Sequence, residues 1–257
     1  MALSDRYRLE REIGAGGMAT VFLAEELRHQ RPVAVKVLRP ELSAALGHDR
    51  FRRELTTAAG VRHPHIVPLY DSGEAAGFLF YVVPFVEGES LRDRLAREGP
   101  LPIEDVVRFA DEIASALSYA HGRGILHRCL TPDRILLEHG HAMVADLGIA
   151  QAVSAASDAT HVAIGMDIAT PTYTSPEQSS GAVIDARSDL YALGCIVYEM
   201  LAGSPPFTGP TATALMVRHA IEPVPKLGAR RANVPKPVID AVEGALAKSP
   251  VDRFASV

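Results

Sequence analysis

Along residues 1–84, short apolar runs of strand length alternate with polar or glycine-rich punctuation. Residues 7–13 read as a first strand, 20–25 as a second, and the valine-rich run 32–38 as a third. Phe51, Leu55 and Ala58 then recur at i, i+4 and i+7, one face of a helix. Residues 67–70 and 78–83 read as two further strands, with a turn expected at Asp71-Ser72-Gly73. From residue 89 the period changes. Ser90-Leu91-Arg92-Asp93 is a capping-box variant that opens a short helix. Val106, Phe109, Ala110, Ile113, Leu117 and Ala120 hold a sustained helical period. Short strands return at 135–137 and 142–145, and helices are expected at 188–202, 211–221 and 237–246. The expected class is α+β: a strand-rich lobe with one main helix over residues 1–84, a connector at 84–88, and a mostly helical lobe over 89–257.

Composition narrows the picture. The chain has 257 residues, 47% hydrophobic and 22% charged, enough for one large domain or two lobes. A net charge of -5 without a long basic run does not point to nucleic acid or to an anionic membrane surface. Cys129 and Cys195 are too few for a disulfide framework, so the expected setting is reducing and cytoplasmic. The start is polar and charged, unlike a signal peptide. The apolar run 190–201 is interrupted by Glu199 and too short to cross a bilayer, so it reads as a helix buried on all sides. No membrane contact is expected within this stretch. Residues 151–169 lack a period and read as a loop. The polar helix start near residue 252 is read as a sign that the chain is a piece of a longer protein.

Several residues carry candidate chemistry. Gly14-Ala15-Gly16-Gly17-Met18-Ala19 stands between the first two strands; by itself such a cluster is most often a hairpin turn. Lys36 shares a strand face with Ala34 and Leu38, where an ammonium needs a partner unless the strand lies at an edge. Glu54 stands beside Leu55 on the inward side of its helix and is the expected partner of Lys36, the other reading being a solvated helix Glu. Asp146-Leu147-Gly148 follows an apolar strand; an isolated Asp-x-Gly is usually a turn.

Spacing joins these fragments. His127-Arg128-Cys129-Leu130-Thr131-Pro132-Asp133-Arg134 resembles the catalytic loop His-Arg-Asp-Leu-Lys-Pro-x-Asn of serine/threonine protein kinases. Asp146-Leu147-Gly148 lies where that family has its Asp-Phe-Gly metal motif, and Val33-Ala34-Val35-Lys36 resembles its Val-Ala-Ile-Lys strand. His63-Pro64-His65-Ile66-Val67, Ser175-Pro176-Glu177-Gln178 and Asp185-x-Arg187-Ser188-Asp189 resemble the bacterial eukaryotic-like (Hanks-type) branch, so the resemblance runs from Tyr7 to Phe254.

The resemblance implies a bilobal kinase fold and an ATP site. Ile13, Gly14, Gly16 and Gly17 would form the loop over the phosphates. Lys36, paired with Glu54, would meet the α- and β-phosphates. Val21, Ala34 and Leu136 would sandwich the adenine, Val83 would guard the back of the pocket, and Pro84 and Val86 would offer backbone groups to the base edge. Asp146 would be the one remaining protein ligand for Mg²⁺. Glu177 and Arg253 would form a buried ion pair, and Asp189 would hold the backbone at His127 and Arg128. Ser154, Ser157 and Thr160 are candidate phosphate acceptors, with Arg128 as the receiving cation.

The same comparison exposes three departures. Cys129 replaces the base Asp, Thr131 the loop Lys, and Arg134 the metal-binding Asn. Losing a positioned base costs on the order of 10² to 10⁴ in rate, and losing a cation on the transferred group costs roughly another 10². The expected function is a pseudokinase that keeps ATP, binds Mg²⁺ weakly or not at all, and works through other signalling proteins, among them an active kinase. The alternatives are a weakly active serine/threonine kinase and a protein-binding module without nucleotide. In such a family the full-length protein would be a membrane-tethered one with this part in the cytoplasm.

Overall fold

In the computed structural model, residues 3–46, 48–149 and 171–257 are described. The reading of 151–169 as a loop and the candidate acceptors Ser154, Ser157 and Thr160 lie outside them.

The small lobe is a five-stranded antiparallel sheet in the order β1-β2-β3-β5-β4. Its strands are β1 (Tyr7–Ala15), β2 (Ala19–Glu26), β3 (Arg31–Leu38), β4 (Asp71–Ala75) and β5 (Phe78–Pro84). Strand alternation splits β3 between two cores. Val33 and Val35 pack with Tyr7, Ala24, Phe80 and Val82 on the outer face. Ala34 and Leu38 face inward with Leu79, Tyr81, Val83 and the helix residues Phe51 and Leu55. Two helices follow β3, α1 (Pro40–Leu46) and α2 (His48–Ala59), where the pattern had given one main helix. Pro40 begins α1 at a position that needs no N–H.

One expected turn is misplaced. Asp71, Ser72 and Gly73 belong to β4, and the chain reverses at Ala76-Gly77, both with positive φ (51° and 81°). Two such residues between paired Ala75 and Phe78 make the tight hairpin loop that suits strand twist. Gly73 is needed because the Phe80 ring occupies the space a side chain would take. Residues 67–70 carry no strand of their own; Val67 N–H instead donates to the Val144 carbonyl at 2.9 Å, and Val144 N–H to His65 at 2.9 Å, tying the end of the α2 segment to the other lobe.

The connector leaves β5 at Pro84 and reaches β6 (Glu89–Ser90), which pairs with β7 (Ile135–Glu138), itself paired with β8 (His141–Val144). A side chain at Gly88 would overlap the Leu137 carbonyl oxygen, so only glycine lets the connector lie on β7. The large lobe is helical: α3 (Leu91–Glu98), α4 (Ile103–His121), α5 (Pro176–Ser180), α6 (Ala186–Ala202), α7 (Ala212–Ile221), α8 (Leu227–Arg230) and α9 (Lys236–Ala245). The capping box at α3 is formed, with Ser90 Oγ accepting from Asp93 N–H and the Asp93 carboxylate accepting from Ser90 N–H. Phe109, Ile113 and Leu117 of α4 pack in one core with Tyr191, Ile196 and Met200 of α6. Every residue of α6 from Ser188 to Leu201 is buried, the polar Ser188, Asp189 and Glu199 included, each with a hydrogen-bond partner. Among the described residues, no helix is long and apolar enough to cross a membrane.

Candidate functional site

The site lies between the lobes, and its walls come from the strand pattern. Ala34 and Val83 are buried in the inner core of the small lobe, and half-buried Ile13, Val21, Val86 and Leu136 pack against it, with Met143 beside them. These residues join β1, β2, β3, β5, the connector, β7 and β8, so an apolar slot is bounded by Ile13 and Val21 on one side and by Leu136 and Met143 on the other. The glycine cluster forms the β1–β2 hairpin, closed by Gly16 N–H donating to Ala19 O at 2.9 Å. A side-chain carbon built at Gly14 meets no atom within 4 Å, so bare backbone borders open space there. Gly17 is exposed at the tip, whereas Met18 next to it is buried in the slot's core.

Lys36 meets the carboxylate of Asp146. Its Nζ donates to both oxygens of Asp146, at 2.7 and 2.9 Å. Tyr81 OH donates to Asp146 Oδ1 at 2.9 Å. Glu54 stands in α2, and its side chain lies outside the described residues. Burial would raise the Asp146 carboxyl, but the charges of Lys36 and Arg134 and the bonds from Lys36 and Tyr81 outweigh it and hold it at about 2. Burial and the neighbouring Asp146 charge keep the Tyr81 phenol protonated far above its ordinary range.

The catalytic-type loop is held from behind. Asp189 accepts from His127 N–H at 2.8 Å, from Arg128 N–H at 2.7 Å, and from His121 Nε2 at 2.8 Å. Gln178 Nε2 donates to the Arg128 carbonyl at 2.6 Å, across from a backbone kept at φ 65°. His127 Nε2 lies 3.1 Å from the Ala145 carbonyl, so that nitrogen carries the proton, and burial keeps the ring neutral. Glu177 and Arg253 form the bidentate pair read from the sequence, at 2.7 and 2.8 Å, with Ser188 Oγ donating to the same carboxylate at 2.6 Å.

The three departing residues come together on this frame. Cys129 is buried, and burial pushes its thiol up to about 11 although the Arg134 charge pulls the other way. Thr131 is buried at the start of the 3₁₀ turn Pro132–Arg134. Arg134 turns back over Cys129: Nη1 donates to the Cys129 carbonyl at 2.8 Å and to its Sγ. Its Nη2 reaches Met18 Sδ at 2.9 Å. The guanidinium therefore links the catalytic-type loop to the glycine hairpin.

Mg²⁺ requires oxygen ligands in near-octahedral geometry, commonly one or two carboxylates with substrate phosphates. Among the described residues one carboxylate stands here, Asp146, bonded by Lys36 and Tyr81, with the Arg134 guanidinium over the neighbouring loop. The apolar residues around Ala34 and Val83 and the bare backbone at Gly14 stand where the resemblance places a nucleotide.

Tyr81 and Met18 were not among the sequence candidates. For Tyr81 a signal existed: it alternates with Leu79 and Val83, and Val83 was already placed against the slot.

Comparison with known proteins agrees with this geometry. Residues 7–256 match the family model described as Protein kinase domain. The chain is 41% identical over 259 aligned positions to the serine/threonine-protein kinase PknB of Mycobacterium leprae, covering 98% of this chain and 41% of that protein. It is 42% identical to PknB of Mycobacterium tuberculosis over the same shares. Against the serine/threonine-protein kinase PrkC of Bacillus subtilis the identity is 37%, covering 98% of this chain and 39% of that protein. The chain thus spans about two fifths of the length of these relatives.

Proposed function

The chain belongs to the protein kinase family, and we propose that it is a pseudokinase of the serine/threonine branch, one that retains the nucleotide slot and has given up efficient phosphoryl transfer. The observation that carries this reading is the burial of Cys129 beneath Arg134, whose Nη1 donates to the Cys129 carbonyl at 2.8 Å. At the position where a kinase needs a proton acceptor for the substrate hydroxyl stands a buried thiol that is neutral at physiological pH and covered by a guanidinium. A neutral thiol under a cation accepts no proton. Thr131 offers no charge to a transferred phosphoryl group.

The slot, the Gly14 backbone and Lys36 support retained ATP binding; the poor oxygen donor set supports weak or absent use of Mg²⁺. With transfer lost, the role that remains is contact with other signalling proteins, an active kinase being the natural partner, on the cytoplasmic side of what is in full length a membrane-tethered protein.

A second reading has its own support. The relatives at 37–42% identity are named serine/threonine-protein kinases, which favours a chain that still transfers phosphate slowly. The deciding experiment incubates the purified chain and its Lys36→Met variant with γ-labelled ATP, a divalent metal and a generic protein acceptor. The pseudokinase reading expects equal, background labelling from both. Labelling that depends on Lys36 would establish the second reading in its place.

A further inference from the structure

We propose that Arg134 stands in for the divalent cation of this cleft, so that a nucleoside polyphosphate is held directly by the guanidinium of Arg134 and the ammonium of Lys36, with no metal ion between. The inference rests on the reading above that the slot takes nucleotide; it adds how the charge of the phosphates is met.

The first argument is charge. The described ionised groups meeting at this point are Lys36, Arg134 and Asp146, two cations and one anion. Two cations set side by side repel a divalent cation and attract polyphosphate. The second is hydrogen-bond chemistry. Position 134 offers only N–H donors, which no metal ion can use and phosphate oxygens can, in the bidentate geometry guanidinium favours. The third is the state of the donors. Arg134 Nη1 is anchored by the Cys129 carbonyl, which fixes where the guanidinium points. Nη2 meets Met18 Sδ, a thioether and hence a weak acceptor. An anionic oxygen is a much stronger acceptor than sulfur, so a phosphate entering under the glycine hairpin would displace Met18 and gain a charge-assisted bond.

Tyr81 is the positioning residue of this arrangement. Its hydroxyl holds Asp146 Oδ1 while Lys36 spans both oxygens, so the carboxylate is turned toward the small lobe and serves as a counter-ion.

The test is a titration of the natural chain with a fluorescent ATP analogue, once in excess chelator and once in excess Mg²⁺, alongside Arg134→Asn and Met18→Leu. The natural chain is expected to bind with the same Kd within about threefold in both media. Arg134→Asn is expected to bind at least about tenfold more weakly in chelator and to recover on addition of Mg²⁺. Met18→Leu keeps the side-chain volume and removes the competing acceptor, so it is expected to bind a few-fold more tightly in chelator; weaker binding would overturn the role given to Met18. Because that variant leaves the loop intact, it decides the point even where Arg134→Asn fails to fold. Tight binding by the natural chain that disappears in chelator would overturn the inference while leaving the pseudokinase reading in place. No binding in either medium would remove the inference and the nucleotide part of that reading together.

Discussion

Lys36 and Asp146 face each other across the cleft, with both carboxylate oxygens within 2.9 Å of one ammonium. Their side chains are only 15% and 13% exposed, so the pair is screened less than a surface bridge. Asp146 is held at about 2 against an ordinary 3.8. The folded pKa is depressed, so the stabilisation is present above pH 4 and is lost as the pH falls toward 2, to an extent of ~2 kcal/mol. Urea unfolding between pH 5 and 2 is expected to lose this contribution in the natural chain and to show a flatter acid limb in Asp146→Asn. Identical acid limbs would refute the assignment.

Arg253 is expected to be among the most sensitive positions for stability. Its Nε donates to Ala247 O, and its two terminal nitrogens reach Glu177, Arg187 O and Lys248 O. All five N–H groups of the guanidinium are matched, which no other side chain can reproduce. Arg253→Ala leaves the buried Glu177 carboxylate without its cation and is expected to cost about 3–5 kcal/mol in denaturant unfolding. Arg253→Lys is expected to restore only part of that, because three donors cannot serve five places.

Stability is also expected to fall on mild acidification because of His219. Burial, then the Lys248 charge, push this imidazole down to about 4. The unfolded chain takes up its proton from about pH 6.5 downward, whereas the folded chain does so only near 4. Stability is therefore intact above 6.5 and drops as the pH falls toward 4, by ~3 kcal/mol. His219→Phe forfeits the Tyr191 bond, at 2.9 Å, and starts about 1 kcal/mol lower, but its unfolding midpoint should change less across that window. His127, also kept neutral by burial, leaves a residual slope.

Cys129 is expected to be chemically silent. With the thiol at about 11, roughly one molecule in ten thousand carries a thiolate at pH 7. A disulfide exchange reagent should label neither cysteine of the native chain on the minute scale, since Cys195 is buried as well, and both promptly in denaturant. Rapid stoichiometric labelling of native Cys129 would mean that the loop is open in solution.

Restoring Cys129→Asp, Thr131→Lys and Arg134→Asn together is expected to raise phosphate transfer at least ~10²-fold over the natural chain. Measured with the same acceptor as before, an unchanged rate would show that these three residues do not limit transfer.

Much of the fold was open to reading because its signals are local. The capping box at Ser90 and Asp93, the period of α4 and the apolar length of α6 each depend on residues within a few turns of one another. The β4–β5 turn was missed because Asp-Ser-Gly is a stronger turn signal than Ala-Ala-Gly; packing of Phe80 on Gly73 decided otherwise. The site was legible where a motif set the spacing, as at Lys36 and Asp146. It was not where the partner lay across the cleft. Tyr81 reads as one more apolar strand residue until Asp146, 65 positions away, is brought to its hydroxyl. Met18 reads as hairpin filler until Arg134 reaches it.

Asp189 grips the loop through main-chain N–H groups and the imidazole of His121, none of which belongs to positions 129, 131 or 134. The mounting is independent of what is mounted on it. A change at those three positions touches none of the bracket's own bonds, so the same frame can carry more than one chemistry.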